Sequence, residues 1–103
     1  MTTSDQLLCK YPDKIPCIVN FGKTLMKKYK LKQLKFLTPY DMTLGQLAYV
    51  VRQRIKIDSS DAMFLFIENK IPNVAKYMFE LYESYKTRDG FLYVVCDIEA
   101  AFG

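Results

Sequence analysis

Catalysis at neutral pH needs a nucleophile, a base tuned near its working pKa, or a metal held by converging donors. This sequence offers little of that kind. It contains no histidine, which removes Ser-His-Asp and Cys-His chemistry and most transition-metal sites. Its three cysteines, Cys9, Cys17 and Cys96, cannot all pair and show no Cys-x-x-Cys spacing. They read as small buried hydrophobes in a reducing compartment. Asp58, Asp61 and Glu68 flank strand and turn positions where carboxylates are solvated, and there is no glycine-rich phosphate loop. The residue types therefore support recognition rather than turnover, with no catalytic group, metal or cofactor, and the chain is expected not to be an enzyme.

Two neighbouring stretches carry the recognition chemistry. Residues 23–35 hold six lysines, Lys23, Lys27, Lys28, Lys30, Lys32 and Lys35, and no acid. Interleaved with Leu25, Met26, Tyr29, Leu31 and Leu34, they read as a solvated basic face on a half-buried loop. Such a face attracts acidic peptides or anionic lipid headgroups, each lysine contributing roughly 1 kcal/mol near a membrane surface. The second stretch is Lys35-Phe36-Leu37-Thr38, a short strand closed by Pro39 and Asp41. As the expected sheet edge, it leaves backbone groups unpaired, on which an extended peptide can add as a further strand. Phe36, Leu37 and Thr38, with Leu47 and Val50 from the following helix and Phe91 from the last strand, are the candidate pocket residues. Lys14, Lys30, Lys32, Lys35 and Arg54 favour a peptide preceded by acids.

The elements that must position these residues can be read in order. Residues 4–10 make one or two helical turns, which Tyr11-Pro12-Asp13 ends. Ile15-Pro16-Cys17-Ile18-Val19 is a strand with its proline near the start, where a missing donor is tolerated. Thr43-Leu44-Gly45-Gln46 is a capping box that opens a helix, with Leu44, Leu47, Ala48, Val51 and Ile55 as the buried stripe and Arg52 on the wet side. Ala62-Met63-Phe64-Leu65-Phe66-Ile67 is a third strand. Val74, Tyr77, Met78, Leu81, Tyr82 and Tyr85 keep helical spacing over 74–85. Asp89-Gly90 then turns into Phe91-Leu92-Tyr93-Val94-Val95-Cys96, apolar at odd and even positions alike, so it should be central and covered on both faces. Two strands joined by a loop, one crossing helix and a last apolar strand returning to the middle make an α+β, β-grasp (ubiquitin-like) four-stranded mixed sheet, with a short N-terminal helix before it. Residues 1–10 are the helical extension and 11–103 the domain.

Composition agrees. A chain of 103 residues, 50% hydrophobic and 25% charged, is one globular domain with a core of its own. No apolar run approaches the ~20 residues of a membrane span, and the N-terminus does not read as a signal peptide, so a cytoplasmic location is expected. A net charge of +4 is too small to imply nucleic acid.

Four motifs in this order, Tyr11-Pro12-Asp13-Lys14-Ile15-Pro16, Asp41-Met42-Thr43-Leu44-Gly45-Gln46, Val50-Val51-Arg52-Gln53-Arg54-Ile55 and Asp89-Gly90-Phe91-Leu92-Tyr93, with the ending Phe102-Gly103, closely resemble the autophagy ubiquitin-like modifiers of the light-chain-three and GABA-receptor-associated-protein family. The resemblance covers about residues 7–103. It implies a modifier activated at Gly103, with Phe102 in the tail that enzymes read, passed through activating and conjugating enzymes and joined to phosphatidylethanolamine on the autophagosome membrane. A dedicated cysteine protease removes residues beyond the glycine in most members; this sequence has none there.

The resemblance also implies binding of aromatic-x-x-aliphatic cargo-receptor peptides in two pockets. By matching positions, the first is Leu7, Pro16, Ile18, Lys35, Leu37 and Phe91, and the second Phe36, Thr38, Pro39, Met42, Leu47 and Val50, with Arg54 beside the peptide. Three departures stand out: only ten residues precede Tyr11, Thr38 replaces a larger aliphatic residue, and the loop over 22–33 matches poorly. The sibling alternatives are a modifier conjugated to a protein lysine and a noncovalent peptide-binding scaffold.

Overall fold

The computed structural model describes residues 12–98. Four strands, β1 (Lys14–Phe21), β2 (Leu34–Pro39), β3 (Met63–Phe66) and β4 (Leu92–Ile98), and three helices, α1 (Lys23–Lys28), α2 (Leu44–Ile55) and α3 (Met78–Tyr85), follow in the order β1-α1-β2-α2-β3-α3-β4. The sheet order is β2-β1-β4-β3. β1 pairs antiparallel with β2 and parallel with β4, and β3 pairs antiparallel with β4. This is the expected mixed sheet of a β-grasp fold, with the last strand in the middle and β2 at an edge. The expected N-terminal helix over 4–10 lies outside the described residues.

One face of the sheet carries the core. Ile15, Cys17 and Val19 of β1 and Leu92, Val94, Cys96 and Ile98 of β4 alternate inward, as strand geometry requires, and meet Leu44, Leu47 and Val51 of α2. The other face is not closed over β4 as the apolar run suggested. Tyr93 and Asp97 are half-buried, and Val95 is 38% exposed. The strand also continues past Cys96 through Asp97 to Ile98, because its pairing with Met63 and Phe64 of β3 fixes those two residues whatever their polarity.

The crossing helix starts as its capping box demands. Gln46 N donates to Thr43 Oγ1 at 3.2 Å, and Thr43 N donates to Gln46 Oε1 at 2.9 Å. The two preceding amides, Leu44 N and Gly45 N, donate to the carbonyls of Lys76 and Val74, each at 2.9 Å. All the orphan donors of the first turn are thereby satisfied. That arrangement explains why the last helix begins at Met78 and not at Val74: the backbone of residues 74–76 caps α2 instead of turning helical. Val74 and Tyr77, expected in the buried stripe, are 59% and 43% exposed.

A second difference lies in the basic stretch. Residues 23–28 form a helix where the sequence reads as a loop. Its N-terminal donor Leu25 N is capped by Asp97 Oδ1 of β4 at 2.9 Å, a partner 72 residues away. Leu25 is fully buried and pins the helix to the core. Arg52 also departs from expectation. Its guanidinium turns back to the carbonyls of Asp58, Ser59 and Asp61 at 3.1, 3.3 and 2.8 Å, closing the loop after α2. In that loop Asp61 is not solvated as expected but bonded to Lys28 Nζ at 2.9 Å and to Tyr29 Oη at 3.1 Å.

Candidate functional site

The candidate site is the outer edge of β2, unpaired among the described residues, and the side chains that alternate above and below it. Successive side chains on a strand point to opposite faces, so Lys35 and Leu37 belong to one recess and Phe36 and Thr38 to the other. A strand added to this edge would therefore drop alternate side chains into two different places.

The first recess lies on the sheet face away from the core. Register places Leu37 opposite Pro16 and Lys35 opposite Ile18, and Ile18 in turn lies beside Tyr93 of β4. Pro16, Ile18 and Phe91 are buried, Leu37 is half-buried and Lys35 is exposed. Leu7, assigned to the same recess, lies outside the described residues. Phe91 is held there by the turn before β4. Its N donates to Asp89 Oδ1 at 3.0 Å, and its carbonyl accepts Thr87 N at 3.0 Å and Thr87 Oγ1 at 3.1 Å. Gly90 supplies the left-handed φ of 83° that this turn requires. The hydroxyls of Thr87 and Tyr93 and the Phe91 amide all donate to Asp89, holding its carboxyl below the usual aspartate range.

The second recess lies between β2 and α2. A depression of about 440 Å³ is lined by Pro39, Asp41, Met42, Gln46, Tyr49 and Val50. Pro39, Met42 and Val50 are assigned from sequence. Leu47 is fully buried and Thr38 only 3% exposed, so both lie beneath the surface and shape the recess from below. Thr38 does not present its hydroxyl to a ligand, since Oγ1 donates to Ile15 O at 3.5 Å inside the sheet. Phe36 is half-buried against the core, with the Arg54 guanidinium 6.0 Å from its ring centroid. Asp41, Gln46 and Tyr49 were not singled out as lining residues. The signal for the two helical ones is present in the sequence: Gln46, Tyr49 and Val50 follow i, i+3, i+4 spacing and must share a face of α2.

The charges around the edge are asymmetric. Lys30, Lys32 and Lys35 are exposed where β2 begins, and Arg54 is exposed on α2. Nothing in the site is arranged for bond chemistry. Among the described residues no group of three histidine, cysteine, aspartate or glutamate side chains could hold a metal ion. Burial pushes the Cys17 and Cys96 thiols up to about 12, the wrong direction for nucleophiles.

Comparison with known proteins places this geometry. The family model described as "Autophagy protein Atg8 ubiquitin like" matches residues 1–103. Autophagy-related protein 8a of Arabidopsis thaliana is 42% identical, the match covering 100% of this chain and 84% of the relative. Autophagy-related protein 8 of Schizosaccharomyces pombe is 41% identical over 99% of this chain and 84% of its own length. The crystal structure of Trypanosoma brucei ATG8 superposes with a TM-score of 0.82 at 30% identity, covering 97% of this chain and 85% of that one. The β-grasp sheet agrees with this kinship, and the chain belongs to the Atg8 family of autophagy ubiquitin-like modifiers.

Proposed function

We propose that the chain is conjugated through the carboxyl of Gly103 to the amine of phosphatidylethanolamine on autophagosomal membranes, and that it binds aromatic-x-x-aliphatic receptor peptides by strand addition to β2. As an autophagy ubiquitin-like modifier it is acted on by enzymes and is not one itself. The partners are the activating and conjugating enzymes of the pathway, a processing and delipidating cysteine protease, cargo-receptor peptides and the phosphatidylethanolamine membrane. Its location is cytoplasmic before conjugation and on the autophagosome after it. Phe102 belongs to the tail that the enzymes read.

The observation that carries this reading is the β2 edge with recesses on both of its faces: Leu37 opens onto Pro16, Ile18 and Phe91, while Pro39, Met42 and Val50 line the depression beside α2. A peptide strand places side chains on alternate faces, so two anchors separated by an even number of intervening residues reach opposite faces, as aromatic-x-x-aliphatic spacing does. The basic rim of Lys30, Lys32, Lys35 and Arg54 favours acids ahead of the aromatic residue. Glycine suits the donor role because, with no side chain, it leaves the carboxyl unhindered in a narrow enzyme channel.

Incubation with the family's activating and conjugating enzymes, ATP and phosphatidylethanolamine liposomes should yield a lipidated species. A Gly103→Ala variant lipidated equally well would overturn the conjugation half, and an adduct on a protein lysine in place of the lipid would redirect it to the sibling mode.

A further inference from the structure

We propose that the lysine-bearing segment 23–32 is a second contact surface, which docks on anionic lipid headgroups beside the point where the tail leaves the fold. For its orientation the proposal rests on conjugation at Gly103.

The placement follows from topology. β1 and β4 are parallel, with Phe21 beside Cys96, so both strands finish at the same end of the sheet. α1 starts immediately after β1, and β2 enters at Leu34 opposite Val19, so residues 22–33 all gather at that end. The attachment is firm. Gly22 N donates to Cys96 O at 2.9 Å, Leu25 N to Asp97 Oδ1 at 2.9 Å, and Leu25 is fully buried. Leu25 turned inward leaves Lys23 and Lys27, one helical turn apart, together on an outer face. Four residues separate Ile98 from Gly103, and the five steps between them span at most about 18 Å. A glycine joined to a headgroup therefore holds this end within about 18 Å of the bilayer.

The charge presented there is basic. Lys23, Lys27, Lys30 and Lys32 are exposed and make no ion pair among the described residues. Of the described acids at the same end only Asp61 is paired with a cation, while Asp97 and Asp58 keep their charge and accept bonds from neutral donors. Asp61 holds Lys28, Asp97 accepts the Leu25 and Ile98 amides, and Asp58 Oδ1 accepts Ser60 N and Oγ. An acidic peptide on the β2 edge is the competing partner for lysines. Lys23 and Lys27, however, sit on a helix packed against β4, two strands from that edge in the order β2-β1-β4-β3, or about 10 Å at ordinary strand spacing. They belong to the tail end and not to the groove.

The test is flotation of the full, unconjugated chain with vesicles. At low salt it should partition onto phosphatidylcholine vesicles containing about 30 mol % phosphatidylserine, hardly bind pure phosphatidylcholine, and be released as salt rises. Lys23→Gln with Lys27→Gln should lower the partition coefficient roughly tenfold or more, from about fivefold per lysine. Lys70→Gln with Arg88→Gln removes the same charge at exposed positions away from this end and should change it little. Amide exchange on the vesicles should slow within residues 23–32 and not within 68–71. No binding to the anionic vesicles, or equal loss from both pairs of substitutions, overturns the proposal. So does unchanged vesicle binding with lost binding of an acidic aromatic-x-x-aliphatic peptide, which would assign the lysines to the groove. Because no conjugation occurs in this assay, failure of the Gly103 reading alone would leave every readout intact.

Discussion

The carboxylate of Asp97 fills the space beside Gly22 where any other residue would carry its Cβ: a carbon built there would lie 2.1 Å from Oδ2 and 2.4 Å from Cγ. The same carboxylate caps Leu25 N and bonds Ile98 N, each at 2.9 Å. One contact thus fixes the start of α1, the end of β4 and the root of the tail.

Gly22→Ala should force Asp97 aside and break both amide bonds, lowering the free energy of unfolding by about 1–3 kcal/mol. Asp97→Ala, which removes the cap, should cost about 0.5–2 kcal/mol. Because the clash vanishes with the carboxylate, Gly22→Ala should cost less in the Asp97→Ala background. Denaturant unfolding of the four proteins checks this, and an equal cost in both backgrounds would show that the contact is not the cause.

Thr43→Ala removes the acceptor for Gln46 N at the start of α2. It should destabilise the protein by about 1 kcal/mol, the ordinary worth of an N-cap. Gln46→Ala should cost less, since Thr43 N then bonds to water. Thermal melts of the two variants give the ranking.

Leu37→Asp places a carboxylate in the recess assigned to Pro16, Ile18 and Phe91. Binding of an acidic aromatic-x-x-aliphatic peptide should weaken by at least tenfold in calorimetry, with the melting temperature little changed because Leu37 is only half-buried. Unchanged affinity would mean that the pocket is elsewhere.

The thiols of Cys17 and Cys96 are fully buried, and burial raises both from 9.0 to about 12. Thiol reagents at neutral pH should therefore label them only after unfolding. In the unfolded chain each thiol ionises near 9, while in the native protein it keeps its proton. Stability should accordingly be level in these groups below pH 9 and fall between about 9 and 12, because the native state binds the extra proton there. Replacing both with serine would not test this cleanly; Cys17→Ala and Cys96→Ala should flatten the alkaline slope measured by denaturation against pH.

Much of this architecture is written locally in the chain. Uncharged, apolar runs mark β1, β3 and β4, the Thr43–Gln46 box marks the first turn of α2, and Asp89-Gly90 marks the turn that sets Phe91. Each of these signals acts within about one helical turn or one strand, so it survives in a linear reading. The edge position of β2 follows as well, since an apolar closing strand leaves the sheet's middle to β4.

What tertiary structure alone decided are the places where a residue's partner is remote. Residues 23–28 become helical because an aspartate 72 positions away caps Leu25. Residues 74–76 stay non-helical because the carbonyls of Val74 and Lys76 are given to the first turn of α2. Arg52 bonds three loop carbonyls, and Thr38 spends its hydroxyl inside the sheet. The sequence by itself determined the strands, the crossing helix and the two-sided β2 edge, through periodicity and capping that are short-ranged. Only the folded chain, by bringing Asp97 to Gly22, decided that the lysine-bearing α1 lies beside the end of β4, since hydrogen bonds across 72 residues leave no periodic trace.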